Sequence, residues 1–195
     1  MIKQFGDFAT TQTYTDGATL PKGGYVCKIL NAQVKDGSKG QYIQIAYDIA
    51  EGEYEGHFKK LYDGKKDENK KWSAYYFLNI PKDDGSEKDG WTKRSFKTFT
   101  NALEDSNEGY HFDWDESKFK GKLIGGLFHY EEFQKNDGSI GRSTKLKNPC
   151  SVAKIHSGNY NLPDDKLLAA TTTTASTPTD FMNIPAEIDE EIPFK

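Results

Sequence analysis

The chain has 195 residues, 35% of them hydrophobic, with a mean hydropathy of -0.81 and a formal net charge of -4. That length suits one ordinary domain plus an appendage, and the low apolar share implies either an unfolded portion or a small core wrapped in polar loops. No run approaches the roughly 20 apolar residues of a membrane-crossing helix, and Met1-Ile2-Lys3-Gln4-Phe5-Gly6-Asp7 lacks the basic-then-apolar build of a secretory signal, so no membrane partner and a cytoplasmic location are expected.

Residues 1–20, rich in Thr and Gly, read as a weak, extended N-terminal arm, and residues 21–160 as the folded body. Gly24–Val34 is dense in β formers with apolar residues on both faces, the pattern of a bent strand shared by two halves of a barrel. Lys35–Gly40 is a turn, after which Ile43, Ile45, Tyr47 and Ile49 alternate with Tyr42, Gln44, Ala46 and Asp48 at the period of a half-buried strand. Gly56–Asp63 reads as a third strand, and Ser73–Ile80 as a further β-prone run. Trp91–Ser106 is the one convincing helix, with Thr92 as its cap and Phe96, Phe99 and Leu103 as its apolar stripe. Lys93 and Arg94 at its start oppose the helix dipole, which suggests a phosphate contact there. Lys122–Phe133 and Gly141–Ile155 flank an Asp137-Gly138 hairpin turn. The expected fold is mainly β: a five-stranded oligonucleotide-binding barrel with one helix between strands three and four and a disordered C-terminal tail.

Cys27 and Cys150 are expected to be buried thiols rather than a disulfide, and the four histidines have no partners at metal-ligand spacing. Neither a nucleophile elbow, a phosphate-cradling loop nor a His-Glu-x-x-His pair is present. No enzymatic activity, metal or cofactor is therefore expected.

The positive signal is basic charge interleaved with rings. Lys59, Lys60, Lys65, Lys66, Lys70 and Lys71 share one window with Tyr62, Trp72, Tyr75 and Phe77. Ammonium groups neutralise phosphates while exposed rings stack on unpaired bases, at roughly 1–3 kcal/mol per base and with tolerance for any sequence. A second basic set comprises Arg142, Lys145, Lys147 and Lys154, and Tyr42 and Tyr130 are candidate outward rings. The candidate nucleic-acid contacts are thus these two sets, without Lys154, together with Lys93, Arg94 and Tyr130.

Past residue 160 the composition changes. Residues 161–182 include Thr171-Thr172-Thr173-Thr174-Ala175-Ser176-Thr177-Pro178, which offers no apolar face to offset the entropy of ordering and reads as a flexible linker. Residues 183–195 form an acidic tip. The excess negative charge lies in the last 25 residues, and the rest of the chain holds equal numbers of acids and bases.

The tip reads Glu187-Ile188-Asp189-Glu190-Glu191-Ile192-Pro193-Phe194. It resembles the C-terminal tip of bacterial and phage single-stranded DNA-binding proteins, where acids precede a closing Ile-Pro-Phe. The resemblance implies that Asp189, Glu190 and Glu191 steer toward a basic pocket on a replication or repair protein, and that Ile192, Pro193 and Phe194 plug it. That family usually ends on the Phe, whose carboxylate is itself bound; here Lys195 follows, so the carry-over stops at the apolar plug. Leu20-Pro21-x-Gly23-Gly24-Tyr25, Asp48–Tyr54 and Asn136–Ser139 resemble the body of a phage-encoded group of such proteins. This implies the oligonucleotide-binding barrel and a phage or prophage origin, inside a bacterial host. The function expected is sequence-tolerant single-stranded DNA binding in replication or recombination. The alternative is a protein-interaction adaptor on the same barrel; oligomeric state, homo-oligomers included, stays open.

Overall fold

Alternation of apolar and polar residues over 43–49 puts Ile43, Ile45, Tyr47 and Ile49 inside, and the strand that results sits next to the longest one in the protein. The computed structural model of the chain describes Gly6 and residues 19–66 and 68–168. The remainder of the N-terminal arm, most of the expected linker and the whole acidic tip, with Asp189, Glu190, Glu191, Ile192, Pro193 and Phe194, lie outside the described residues. In chain order the elements are β1 (Gly23–Gly37), β2 (Gly40–Ile49), α1 (His57–Gly64), β3 (Tyr75–Asn79), α2 (Glu87–Ser106), a 3-10 turn (Glu116–Phe119), β4 (Leu123–Gln134), β5 (Ile140–Cys150) and α3 (Val152–Ser157). The strands form one antiparallel sheet in the order β3-β2-β1-β4-β5.

β1 explains that order. Its second half pairs with β2, its first half with both β2 and β4, and the register shifts between Ile29 and Asn31. Such a bulge bends a strand and sharpens its twist. At this point β1 leaves β4: Ile29 exchanges main-chain bonds with Lys122 and Gly121 instead. The β4–β5 turn is fixed by Asp137, whose carboxylate accepts from the Ser139 N–H (2.9 Å) and hydroxyl (2.6 Å), while Gly138 supplies a φ of 81°.

Under the sheet lies an aromatic core. Phe99, Phe119 and Phe128 are fully buried. Tyr76 stacks on Phe99 at 5.8 Å, and Tyr47 meets Phe58 and Phe128 edge-on at 5.6 and 5.8 Å, the offset and edge-to-face arrangements that aromatic quadrupoles favour. Both cysteines are free and buried.

Three expectations are corrected. Gly56–Asp63 is not the third strand; most of it is α1, and the third strand is β3 within Ser73–Ile80. Gly56, at φ 67°, ends the preceding turn, and Phe58, Leu61 and Tyr62 then repeat at helical spacing. Gly56 has no side chain to cap the helix, so the cap comes from across the fold. The buried Asp48 carboxylate at the end of β2 accepts the N–H groups of Phe58 (2.9 Å), Lys59 (3.1 Å) and Ile49 (2.8 Å). The main helix starts at Glu87, not Trp91, capped by Ser86, whose hydroxyl accepts from the Asp89 N–H, and its first turn carries Glu87 and Asp89. The dipole is therefore met by acids, and Lys93 and Arg94 lie beyond the first turn rather than at the helix start. Finally, the last strand stops at Cys150, where Ser151 caps α3.

Beyond α3 the chain lies back along β4. Lys166 donates its N–H to the Tyr130 carbonyl and accepts from the Glu132 N–H, both at 2.9 Å, and the His129 Nδ1–H donates to the Asp164 carbonyl at 2.7 Å.

Replacing Asp48 by Ala orphans three amides in a buried site, and at about 1 kcal/mol or more for each such group it should cost roughly 2–4 kcal/mol of stability. Asp48→Asn, which keeps one carbonyl oxygen, should lose less. Urea unfolding midpoints at constant m-value check both.

Candidate nucleic-acid interface

The register of β2 and β3 sorts their side chains onto two faces. Ile43 opposite Leu78 and Ile45 opposite Tyr76 turn toward the core, while Tyr42, Gln44, Phe77 and Tyr75 turn outward. Phe77, 55% exposed, touches the Tyr42 ring edge-on at 5.7 Å and lies 6.3 Å from the Tyr75 ring. The three rings form a continuous row, which is one wall of a groove of about 1370 Å3.

β5 supplies the opposite wall. Thr144 and Leu146 point inward, so Lys145 and Lys147 between and after them are exposed at the groove. The two edge strands of the sheet thus border the same depression. α2 borders it with Trp91, Arg94, Ser95 and Thr98, the i, i+3, i+4, i+7 face of the helix. Lys65, Lys71, Trp72 and Ser73 contribute the remaining side. Trp72 is half-buried and held by an indole N–H bond to the Ala74 carbonyl (3.0 Å) and a tilted contact with Tyr62 at 5.7 Å. Tyr76 also lines the groove; burial pushes its phenol up to about 12, so it stays neutral.

The cations differ in what holds them. The Arg94 guanidinium lies 4.9 Å over the Trp91 ring, the Lys65 ammonium donates to the Lys71 carbonyl at 2.9 Å, and Lys147 makes no ion pair among the described residues. Lys145 is 2.7 Å from one oxygen of Glu131, which also lines the groove; the other oxygen takes Lys166 at 2.6 Å. Burial raises the Glu131 carboxyl, but the hydrogen bonds from Lys145 and Lys166 outweigh it and bring the group down to about 2.

Of the residues singled out in the sequence, the groove gathers Tyr42, Lys65, Lys71, Trp72, Tyr75, Phe77, Arg94, Lys145 and Lys147. It does not gather the rest. Lys59 pairs with Asp63 at 2.6 Å on α1, where Lys60 is also exposed. Lys66 is exposed in the loop after α1, and Lys70 sits 4.9 Å over Tyr62, which backs Trp72 from outside the groove. Lys93 is tied to Asp83 and Asp89. Tyr130 lies between Lys22 at 5.6 Å and Arg142 at 5.2 Å, and Arg142 is paired with Glu132. The sequence reading missed Trp91, Ser95, Thr98 and Asn148. The i, i+3, i+4, i+7 spacing of 91, 94, 95 and 98 already puts the first three of these on one face with Arg94 in a helix over Trp91–Ser106.

Among the described residues no cluster of three or more His, Cys, Asp or Glu can hold a metal, and no helix is long and apolar enough to cross a membrane. Compared with protein-family models and with curated proteins, the chain matches none.

The lowered Glu131 carboxyl gives a pH test. Its usual value is 4.5 and its folded value about 2, so the stability it contributes is complete above about pH 5 and drains away as pH falls toward 2. Chemical denaturation of wild type and Glu131→Gln should show a gap in midpoint at pH 6 that closes by pH 2. A gap independent of pH contradicts the assignment.

Proposed function

We propose that the chain binds single-stranded DNA with little sequence preference along this groove, and that its acidic tail recruits replication or recombination proteins of a phage or prophage. The observation that carries the reading is the division of the groove into two chemistries. One wall is a row of three rings, Tyr42, Phe77 and Tyr75; the other walls hold Lys145, Lys147 and Arg94, with Lys65 and Lys71 alongside. An unpaired strand needs that pairing, π-faces for its bases and cations for its phosphates. A duplex hides its base faces and gains only from the cations.

The strand order supports a partly open oligonucleotide-binding barrel, in which the first and last strands of β3-β2-β1-β4-β5 approach across a seam. The groove would be that seam. The tail's role rests on the likeness of Glu187–Phe194 to the tip described above, and a short apolar plug with acidic flanks suits a basic-rimmed pocket.

Gel shifts with poly-dT and with duplex DNA test the reading. The single strand should bind more tightly and weaken between about tenfold and a hundredfold from 50 to 200 mM salt, given the number of groove cations and a slope of about -0.7 per phosphate contact. No shift at low salt would falsify DNA binding and favour the adaptor.

Tyr75→Ala should weaken binding about 5- to 100-fold without changing the salt slope, whereas Lys147→Ala should reduce the slope by about 0.7. Deleting residues 183–195 should leave affinity equal or slightly higher, because the deletion removes negative charge and no groove residue. A large loss contradicts the division of labour between body and tail.

A further inference from the structure

Beside the groove a smaller crevice of about 280 Å3 separates β3 from the first half of α2; Asn79, Lys88 and Thr92 line it, and it shares Phe77, Trp91 and Ser95 with the groove. Trp91 is 62% exposed although it belongs to the main helix, and among the described residues only Arg94 stacks on its ring. A guanidinium on one face of an indole steadies the ring and leaves the other face for a planar partner.

The opposite side of the crevice is the free edge of β3. Ile80 donates its N–H to Gln41 and Tyr47 donates to Ala74, so the even-numbered residues of β3 bond to β2. The main-chain N–H and C=O of Tyr75, Phe77 and Asn79 therefore point away from β2, and among the described residues no hydrogen bond engages them. An unpaired donor and acceptor on one residue match the adjacent acceptor and donor found on the hydrogen-bonding edge of every nucleobase. Size narrows the occupant further. The crevice falls just below the roughly 300 Å3 at which sites for whole small molecules begin. It suits one flat heterocycle.

We propose that this crevice is a subsite for a single unpaired nucleobase. The base stacks on the open face of Trp91, its hydrogen-bonding edge meets the Phe77 main chain, and Lys88 stands beside the attached phosphate. The proposal rests on the reading of the groove as a single-strand path and adds to it a position where one base leaves the ring row and turns under the helix.

The test uses the full chain and oligo-dT in which 5-iododeoxyuridine replaces scattered thymidines. Irradiation should cross-link the strand to the peptide carrying Trp91 as well as to those carrying Tyr75 and Phe77. Trp91→Ala removes an exposed side chain and should leave the urea midpoint unchanged, yet weaken oligo-dT binding about 5- to 100-fold at constant salt slope. Tyr42→Ala serves as the ring-row comparator. If Tyr42→Ala weakens binding while Trp91→Ala binds like wild type and no cross-link maps to Trp91, the subsite is overturned and the groove stands. If the wild-type chain does not bind oligo-dT, the groove reading itself is overturned.

Discussion

One buried carboxylate organises the side of the protein where the groove lies. Asp48 ends β2 and receives the first amides of α1, so the strand and the helix are joined through its two oxygens. A helix of eight residues has little intrinsic stability in water, and Gly56 gives it no side-chain cap. Asp48 therefore joins the Gly56–Ile49 main-chain bond and the buried Phe58 in fixing where the helix begins. The path back to the sheet ends in two bonds on one atom, the Ala74 carbonyl, which accepts the Trp72 indole N–H and the Tyr47 main-chain N–H. From there β3 starts in the register that turns Tyr75 and Phe77 outward.

The strands were legible where their chemistry is repetitive. Period-two alternation marked β2 unambiguously, and the Asp137-Gly138 turn marked the last hairpin, because both signals are local. α1 was not legible for the complementary reason. Its capping group lies ten residues upstream on another element, and its eight residues are rich enough in rings to pass for a strand. The main helix shows a milder case. Its apolar stripe, Phe96, Phe99 and Leu103, is buried as the spacing implied, but its start depends on Ser86 in a run of loop-like residues. Moving that start puts Glu87 and Asp89 in the first turn and leaves Lys93 and Arg94 beyond it.

The candidate site was half legible. Residue types pointed to rings and cations, and the groove holds both. Spacing alone did not say which of the cations cluster, since Lys59, Lys93 and Arg142 are each paired with an acid while Lys147 has no ion pair among the described residues. Ion pairing of this kind is a property of the folded neighbourhood. The partner is a near neighbour in the chain for Lys59 and Lys93, and a residue on another strand for Lys145, whose Glu131 also takes Lys166.

Glu131 has a thermodynamic corollary. When a polyanion settles on a free ammonium, small ions leave both partners and disperse into bulk water, and that gain in mixing entropy drives much of the association. Lys145 already has a neutralising partner, the Glu131 carboxylate on the adjacent strand β4. A phosphate that takes over Lys145 must compete with this carboxylate, whose charge stays tethered nearby and offsets part of the neutralisation. Counting lysines along the groove will thus overstate how many behave as salt-sensitive contacts.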